Sequence, residues 1–151
     1  MPLEQLLTGL EAKVGTEIIV GDWITITQEQ VGAWAEATGD NQWIHVDVER
    51  ATAGPYGGTI VPGMQVLASF YPALSRASLV PGTTGGVIYG YNRIRWPSAT
   101  RVGTPLRHQF VPQSVEAAGE DGVQVTMGIT VEIEGETRPA CVAEIIARYF
   151  L

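Results

Sequence analysis

"VQVTMGITVEI", residues 123–133, alternates without a break. Val123, Val125, Met127, Ile129, Val131 and Ile133 share one parity; Gln124, Thr126, Gly128, Thr130 and Glu132 share the other. Successive side chains of a strand point to opposite faces, so this spacing predicts a strand with one apolar and one polar face. That is the pattern of an antiparallel sheet buried on one side. Its neighbours continue the reading. Glu134-Gly135-Glu136 is a turn, and 138–150 a further strand. Upstream, 106–115 and 87–96 read as strands, the latter closed by Pro97. Hairpin spacing with no helix between them makes the sheet antiparallel.

An apolar sheet face needs a cover. The stretch from Gly63 to about Arg76 carries Met64, Val66, Leu67, Ala68, Phe70, Tyr71 and Leu74 around almost the whole helical circumference, which predicts a buried helix. Pro62 suits its first turn, and Pro72 is expected to kink it or end it early. Nearer the N-terminus, Leu3, Leu6, Leu7 and Leu10 predict a short helix stopped by Gly15, and 16–26 reads as a strand with a bulge or turn at Gly21-Asp22. Thr27 and Gln30 form a capping box for a helix bearing Val31, Trp34, Ala35 and Thr38, with Gly39 as its C-terminal cap. Asp47 is positioned to cap a second short helix that ends near Gly54. Burying these surfaces together curls the sheet around the long helix. This is the α+β hot-dog fold, expected as one domain over residues 1–151. About five strands leave open edges, which a homodimer continuing the sheet would cover.

Composition removes several function classes. The chain has 151 residues, 45% hydrophobic and 17% charged, as in an ordinary globular protein. No stretch has the apolar length of a membrane span, and the N-terminus lacks a basic leader. One cysteine, Cys141, makes no internal disulfide and fits a cytoplasmic setting; with two distant histidines, zinc-ligand spacing is absent. A net charge of −7 argues against nucleic acid and anionic membranes as partners. Arg93, Arg95, Arg101 and Arg107 nevertheless fall close together in the chain.

Chemistry concentrates in residues 37–47, "ATGDNQWIHVD". Asp40 follows the helix-ending Gly39, and His45 lies five residues on. Residues five apart do not share a helix face, but in a loop they converge. A carboxylate and an imidazole on one water make an acid/base pair. The plainer reading stands beside it: Asp40 as a turn former and His45 as a satisfied histidine. Gly57, Gly58 and Gly63 read either as turn and helix-entry glycines or as points of close backbone approach to a ligand. In the second case the Gly63 amide is available to an oxyanion.

These residues carry a resemblance. Thr38-Gly39-Asp40-Asn41-Gln42-Trp43-Ile44-His45, with Ala51 beyond it, resembles the hydratase-2 motif of the MaoC-like (R)-specific enoyl-CoA hydratases. Thr59-Ile60-Val61-Pro62-Gly63-Met64 is similar to that family's downstream order. The likeness runs from about Gly15 to Phe150 and is strongest to small single-hot-dog bacterial members. Gln42-Trp43 stands where others have Asn-Pro, and Pro62 where many have His. The resemblance implies hydration of a trans-2-enoyl-CoA to the (R)-3-hydroxyacyl-CoA. Asp40 and His45 would hold the water, with Asp40 as base and His45 in proton delivery. The Gly63 amide would be the oxyanion donor, and no metal or redox cofactor is needed. Gln42, Tyr56 and Arg93 are candidate substrate contacts. The acyl pocket is expected between the motif loop and the buried helix, bordered by Trp34, Trp43, Tyr56, Tyr71 and Tyr89. The alternatives are a dehydratase for carrier-protein-bound chains and a non-catalytic acyl-CoA-binding subunit. A hot-dog thioesterase fits poorly, because no Asp or Glu lies between Gly63 and Arg76.

Overall fold

The computed structural model describes residues 2–16 and 18–151; Met1 and Glu17, which fall in the predicted first helix and first strand, lie outside them. Helix α1 (Leu3–Glu11) buries Leu6 and Leu10 against the sheet. Strand β1 is only Ile19–Val20. Beyond it the chain keeps to the same neighbour by single contacts, Gly21 N–H to the His108 carbonyl at 2.9 Å and a bridge from Ile24 to Leu106. The predicted strand over 16–26 is thus mostly extended chain with sparse pairing.

Three short helices follow. α2 (Gln28–Thr38) begins at the predicted capping box and ends at Gly39, which takes φ +78°. That left-handed conformation is one that only glycine adopts without strain. α3 (Trp43–Val46) is a single helical turn where sequence reading expected loop. α4 (Val48–Thr52) is capped by Asp47, whose side chain accepts the Arg50 N–H.

The central helix is interrupted. It runs as α5 (Gly63–Ala68) and α6 (Tyr71–Ala77), broken at Ser69–Phe70, with Pro72 in the first turn of α6. Pro72 lacks the N–H that would continue the ladder. Val66, Leu67 and Phe70 are buried, but Met64 and Tyr71 remain 50% and 55% exposed. The helix is therefore buried along a stripe and not all round.

Strands β2 (Gly85–Arg95), β3 (Leu106–Ala117), β4 (Gly122–Ile133) and β5 (Cys141–Phe150) complete an antiparallel sheet in the order β1-β3-β4-β5-β2. The alternation read from residues 123–133 holds residue by residue: all six apolar positions are buried and the polar ones between them are not. Phe70 on the helix meets Phe110 on β3 edge to face, with ring centroids 6.0 Å apart. A curved sheet wrapped around a central helix is the hot-dog arrangement.

Candidate active site

The sequence between α2 and α5 is built from short elements tied by side chains. Gln28, in the first turn of α2, is the main clasp. Its Nε2 donates to the His45 carbonyl at 2.8 Å, and its Oε1 accepts the Thr59 hydroxyl at 2.5 Å. Residues 59–61 are held on both sides. The Ile60 N–H donates to the Ile44 carbonyl at 2.9 Å, the Val61 N–H to Thr100 at 2.8 Å and the Val102 N–H to Thr59 at 2.9 Å. His45 therefore sits on a braced turn and is buried.

Its ring is oriented as firmly as its backbone. Nδ1 lies 2.7 Å from the Ile60 carbonyl oxygen. A carbonyl only accepts, so Nδ1 carries the hydrogen; in the neutral ring Nε2 is then a bare lone pair. That lone pair faces Asp40, whose Oδ2 is 3.7 Å from Nε2. The other carboxylate oxygen, Oδ1, accepts the Gln42 side-chain amide at 3.1 Å. Asp40 is about one-third exposed while His45 is almost fully enclosed, at 35% and 7% for their side chains. The arrangement presents two acceptors, one on the solvent side, too far apart for a direct hydrogen bond. A water lying beside the pair can donate one O–H to each of them.

Gly63 opens α5 as the sequence predicts, and here too the backbone is closely approached, but by Trp96 rather than by open space. Trp96 Nε1 donates to the Gly63 carbonyl at 2.7 Å, and a Cβ on Gly63 would lie 2.9 Å from the indole. A side chain there would require the Trp96 indole to shift.

The other predicted residues are dispersed. Tyr56 is exposed in the loop after α4. Arg93 lies on β2 and pairs with Glu144 at 3.4 Å. Neither makes a hydrogen bond or ion pair with Asp40 or His45 among the described residues. The four arginines do not form one group: Arg107 bonds Glu132 across the sheet at 2.7 Å, Arg95 bonds the Ile94 carbonyl, and Arg101 rests against Gly58. The aromatic residues expected around one pocket also separate. Trp34 lines a cleft of about 480 Å³ between α2 and the central helix, together with Gln65 and Ser69. Tyr71 lines another, of about 460 Å³, between α6 and the edge strand β2. Trp43 packs under Arg50, and Tyr89 under Arg148.

Sequence reading missed Gln28, Thr59 and Trp96. Gln28 had no signal, since Gln at a helix start is ordinary. Trp96, just before Pro97, was read only as a strand end. His108, the second histidine, is buried on β3. Its Nε2–H points at the Val66 carbonyl and at the Ser69 hydroxyl, 3.4 and 3.2 Å away. Burial pushes this imidazole below its ordinary value, with the Val66 carbonyl opposing. Among the described residues no cluster of three or more His, Cys, Asp or Glu side chains could hold a metal ion, and no helix is long and apolar enough to cross a membrane.

Comparison with known proteins agrees with this architecture. The MaoC like domain matches residues 10–133. The chain is 46% identical over 140 residues, 93% of each chain, to the protein named 3-hydroxyacyl-thioester dehydratase Z of Mycobacterium tuberculosis. It is 36% identical over 143 residues, 93% of this chain and 88% of the other, to nodulation protein N of Rhizobium leguminosarum bv. viciae. Its fold superposes on the (R)-hydratase from A. caviae with a TM-score of 0.68 at 21% identity, covering 87% of this chain and 92% of that one. The chain belongs to the MaoC-like domain family.

Proposed function

We propose that this MaoC-like protein hydrates a trans-2-enoyl-CoA to the (R)-3-hydroxyacyl-CoA, and catalyses the reverse dehydration. One observation carries the reading: two hydrogen-bond acceptors, Asp40 Oδ2 and His45 Nε2, face each other at 3.7 Å. Each is fixed from behind, by Gln42 and by Ile60. Two acceptors repel unless a donor lies between them, and a water that donates to both turns its own lone pairs outward. That water is the nucleophile. As its oxygen bonds to the β-carbon, one of its protons passes to the pair, and the electron pair of the double bond moves toward the thioester as an enolate. The pair then returns one proton to the α-carbon, so one water is added and both side chains end as they began. Asp40 is the base and His45 takes part in delivery, though an interacting pair exchanges protons as a unit. The enolate oxygen is met by the Gly63 N–H.

The similarity to a protein named for 3-hydroxyacyl thioesters supports the reaction class. A net charge of −7 argues mildly against an acidic carrier protein as the thioester's bearer. The test is loss of the enoyl absorbance across a series of trans-2-enoyl-CoAs. Wild-type protein turns over. Asp40→Asn and His45→Gln each lose at least ~100-fold in turnover, since positioned acid/base groups contribute on the order of 10²–10⁴, and both keep the fold. Full activity in either variant contradicts the assignment.

We also propose that a second copy covers β2. This strand of 11 residues has only β5 beside it, and exposes Val87 and Tyr89 at 48% and 59%. A long apolar edge of this kind is a template for pairing. A mass in solution equal to one chain contradicts this.

A further inference from the structure

The indole of Trp96 is directed at a single residue of the site. Its Nε1–H donates to the Gly63 carbonyl at 2.7 Å. Its ring lies across the Gly63 Cα, where a Cβ would meet three indole atoms at 2.9, 3.0 and 3.1 Å. Gly63 is not among the glycines with positive φ, so its backbone conformation asks for no glycine. The close approach of the ring does. Trp96 is itself 40% exposed, so much of the ring gains nothing from leaving water. What it makes is one directed bond and one backbone contact.

The contact closes a longer clamp. Residues 96–102 run antiparallel to 59–63. The Val61 N–H donates to the Thr100 carbonyl at 2.8 Å, the Val102 N–H to Thr59 at 2.9 Å, and Ile60 bridges to Arg101. These three contacts are made by backbone; the fourth, Trp96 to Gly63, is made by a side chain. The clamped strip carries the Ile60 carbonyl that fixes His45 Nδ1, and it ends on the Gly63 N–H. Pro97 confines the preceding Trp96 to extended backbone, so the indole leaves the end of β2 in a restricted direction.

We infer that Trp96 is a positioning residue for Gly63: it holds in place the peptide whose N–H meets the enolate oxygen in the reaction proposed above. The inference rests on that reading and goes beyond it, because nothing in the reaction itself requires an indole. The direction of the Gly63 N–H depends on the Pro62 ψ, 134°, and on the Gly63 φ. Pro62 is buried, and its ring fixes its own φ. The Gly63 φ is the soft torsion, since glycine has the widest backbone freedom. Pro62 makes no side-chain hydrogen bond that would restrain it. Trp96 restrains it from the far side, by a ring against Cα and a hydrogen bond on the carbonyl. A contact to a developing oxyanion is stronger in the transition state than in the ground state, so misplacing it lowers kcat more than it raises KM.

The test is Trp96→Phe, which keeps a ring over Gly63 and removes the N–H. With a trans-2-enoyl-CoA, kcat per folded molecule should fall about tenfold, the order expected of a slightly displaced group, with KM nearly unchanged. A residue that only supported the fold would lower the denaturant midpoint and leave kcat alone. Unchanged kcat in folded Trp96→Phe protein overturns the inference and leaves the Asp40–His45 pair standing. A second measurement decides if the variant does not fold or if wild-type protein shows no turnover. Butyryl-CoA, which has no double bond to hydrate, is added to isotope-labelled wild-type protein, and the Trp96 indole N–H is followed by NMR. A thioester accepting from the Gly63 N–H acts on a residue held by that indole, so the signal should shift. A shift without turnover supports the placement while the catalytic reading fails. No shift overturns the inference.

Discussion

The β3–β4–β5 sheet and the segment from Gln28 to Val61 are held by different forces. The sheet is held by area: Leu106, Phe110, Val123, Met127, Val131 and Ile145 are at or near zero exposure, and each such side chain contributes roughly 1.5–3 kcal/mol by leaving water. The segment has fewer such residues, Val31, Ala35, Ala51, Ile60 and Val61, two of them only alanines. It is held by individually directed bonds, Gln28 to His45 and Thr59, His45 to Ile60, Asp47 to its own helix start. Area tolerates exchange among apolar residues of similar volume. Directed bonds do not, because each names a partner atom. The difference predicts that stability is set mainly in the sheet and the proposed activity in the segment.

Substitutions in each region should break this division if it is wrong. The largest expected effect on stability is Phe110→Ala, which removes a ring packed edge to face on Phe70. Denaturant unfolding should show a loss of about 3–5 kcal/mol, with kcat per folded molecule nearly unchanged. Next is Gln28→Ala, which strands the His45 carbonyl and the Thr59 hydroxyl. The cost to stability is about 1–3 kcal/mol, yet turnover should fall about tenfold, because the imidazole loses its placement. A variant that loses stability alone would show that the clasp does not position His45. The smallest effect concerns pH. Burial holds His108 below the ordinary imidazole value of about 6.5, so the unfolded chain binds that proton first. Stability is therefore full above about pH 6.5 and declines as pH falls from there toward the folded-state value. His108→Leu should flatten this part of the profile in unfolding measured between about pH 7.5 and about pH 5.

What the sequence disclosed follows the same division. Alternation in residues 123–133 and the capping box at Thr27 and Gln30 were legible because burial and capping leave periodic or local marks. Asp40 and His45 were legible as residue types at a spacing, and the structure brings them together. The one-turn helix holding His45 was not, since four residues carry no period. The break before Pro72 was legible as a point, but the exposure of Met64 and Tyr71 was not, because an apolar residue awaiting a partner chain or ligand looks the same as one in the core. The clasp by Gln28 spans 31 residues to Thr59, and no local pattern records such a contact. The dispersal of the arginines has the same cause: Arg93 and Arg95 stay on β2, while Arg101 pairs with Ile60 and Arg107 lies on β3.

The central claim is that Asp40 and His45 act on one shared water as a unit. Turnover of a trans-2-enoyl-CoA by Asp40→Asn, His45→Gln and the double variant measures it. Groups acting as a unit are non-additive, so the double variant should lose little more than the worse single one. Losses that multiply would mean that the two side chains work independently, and the shared water would have to be given up.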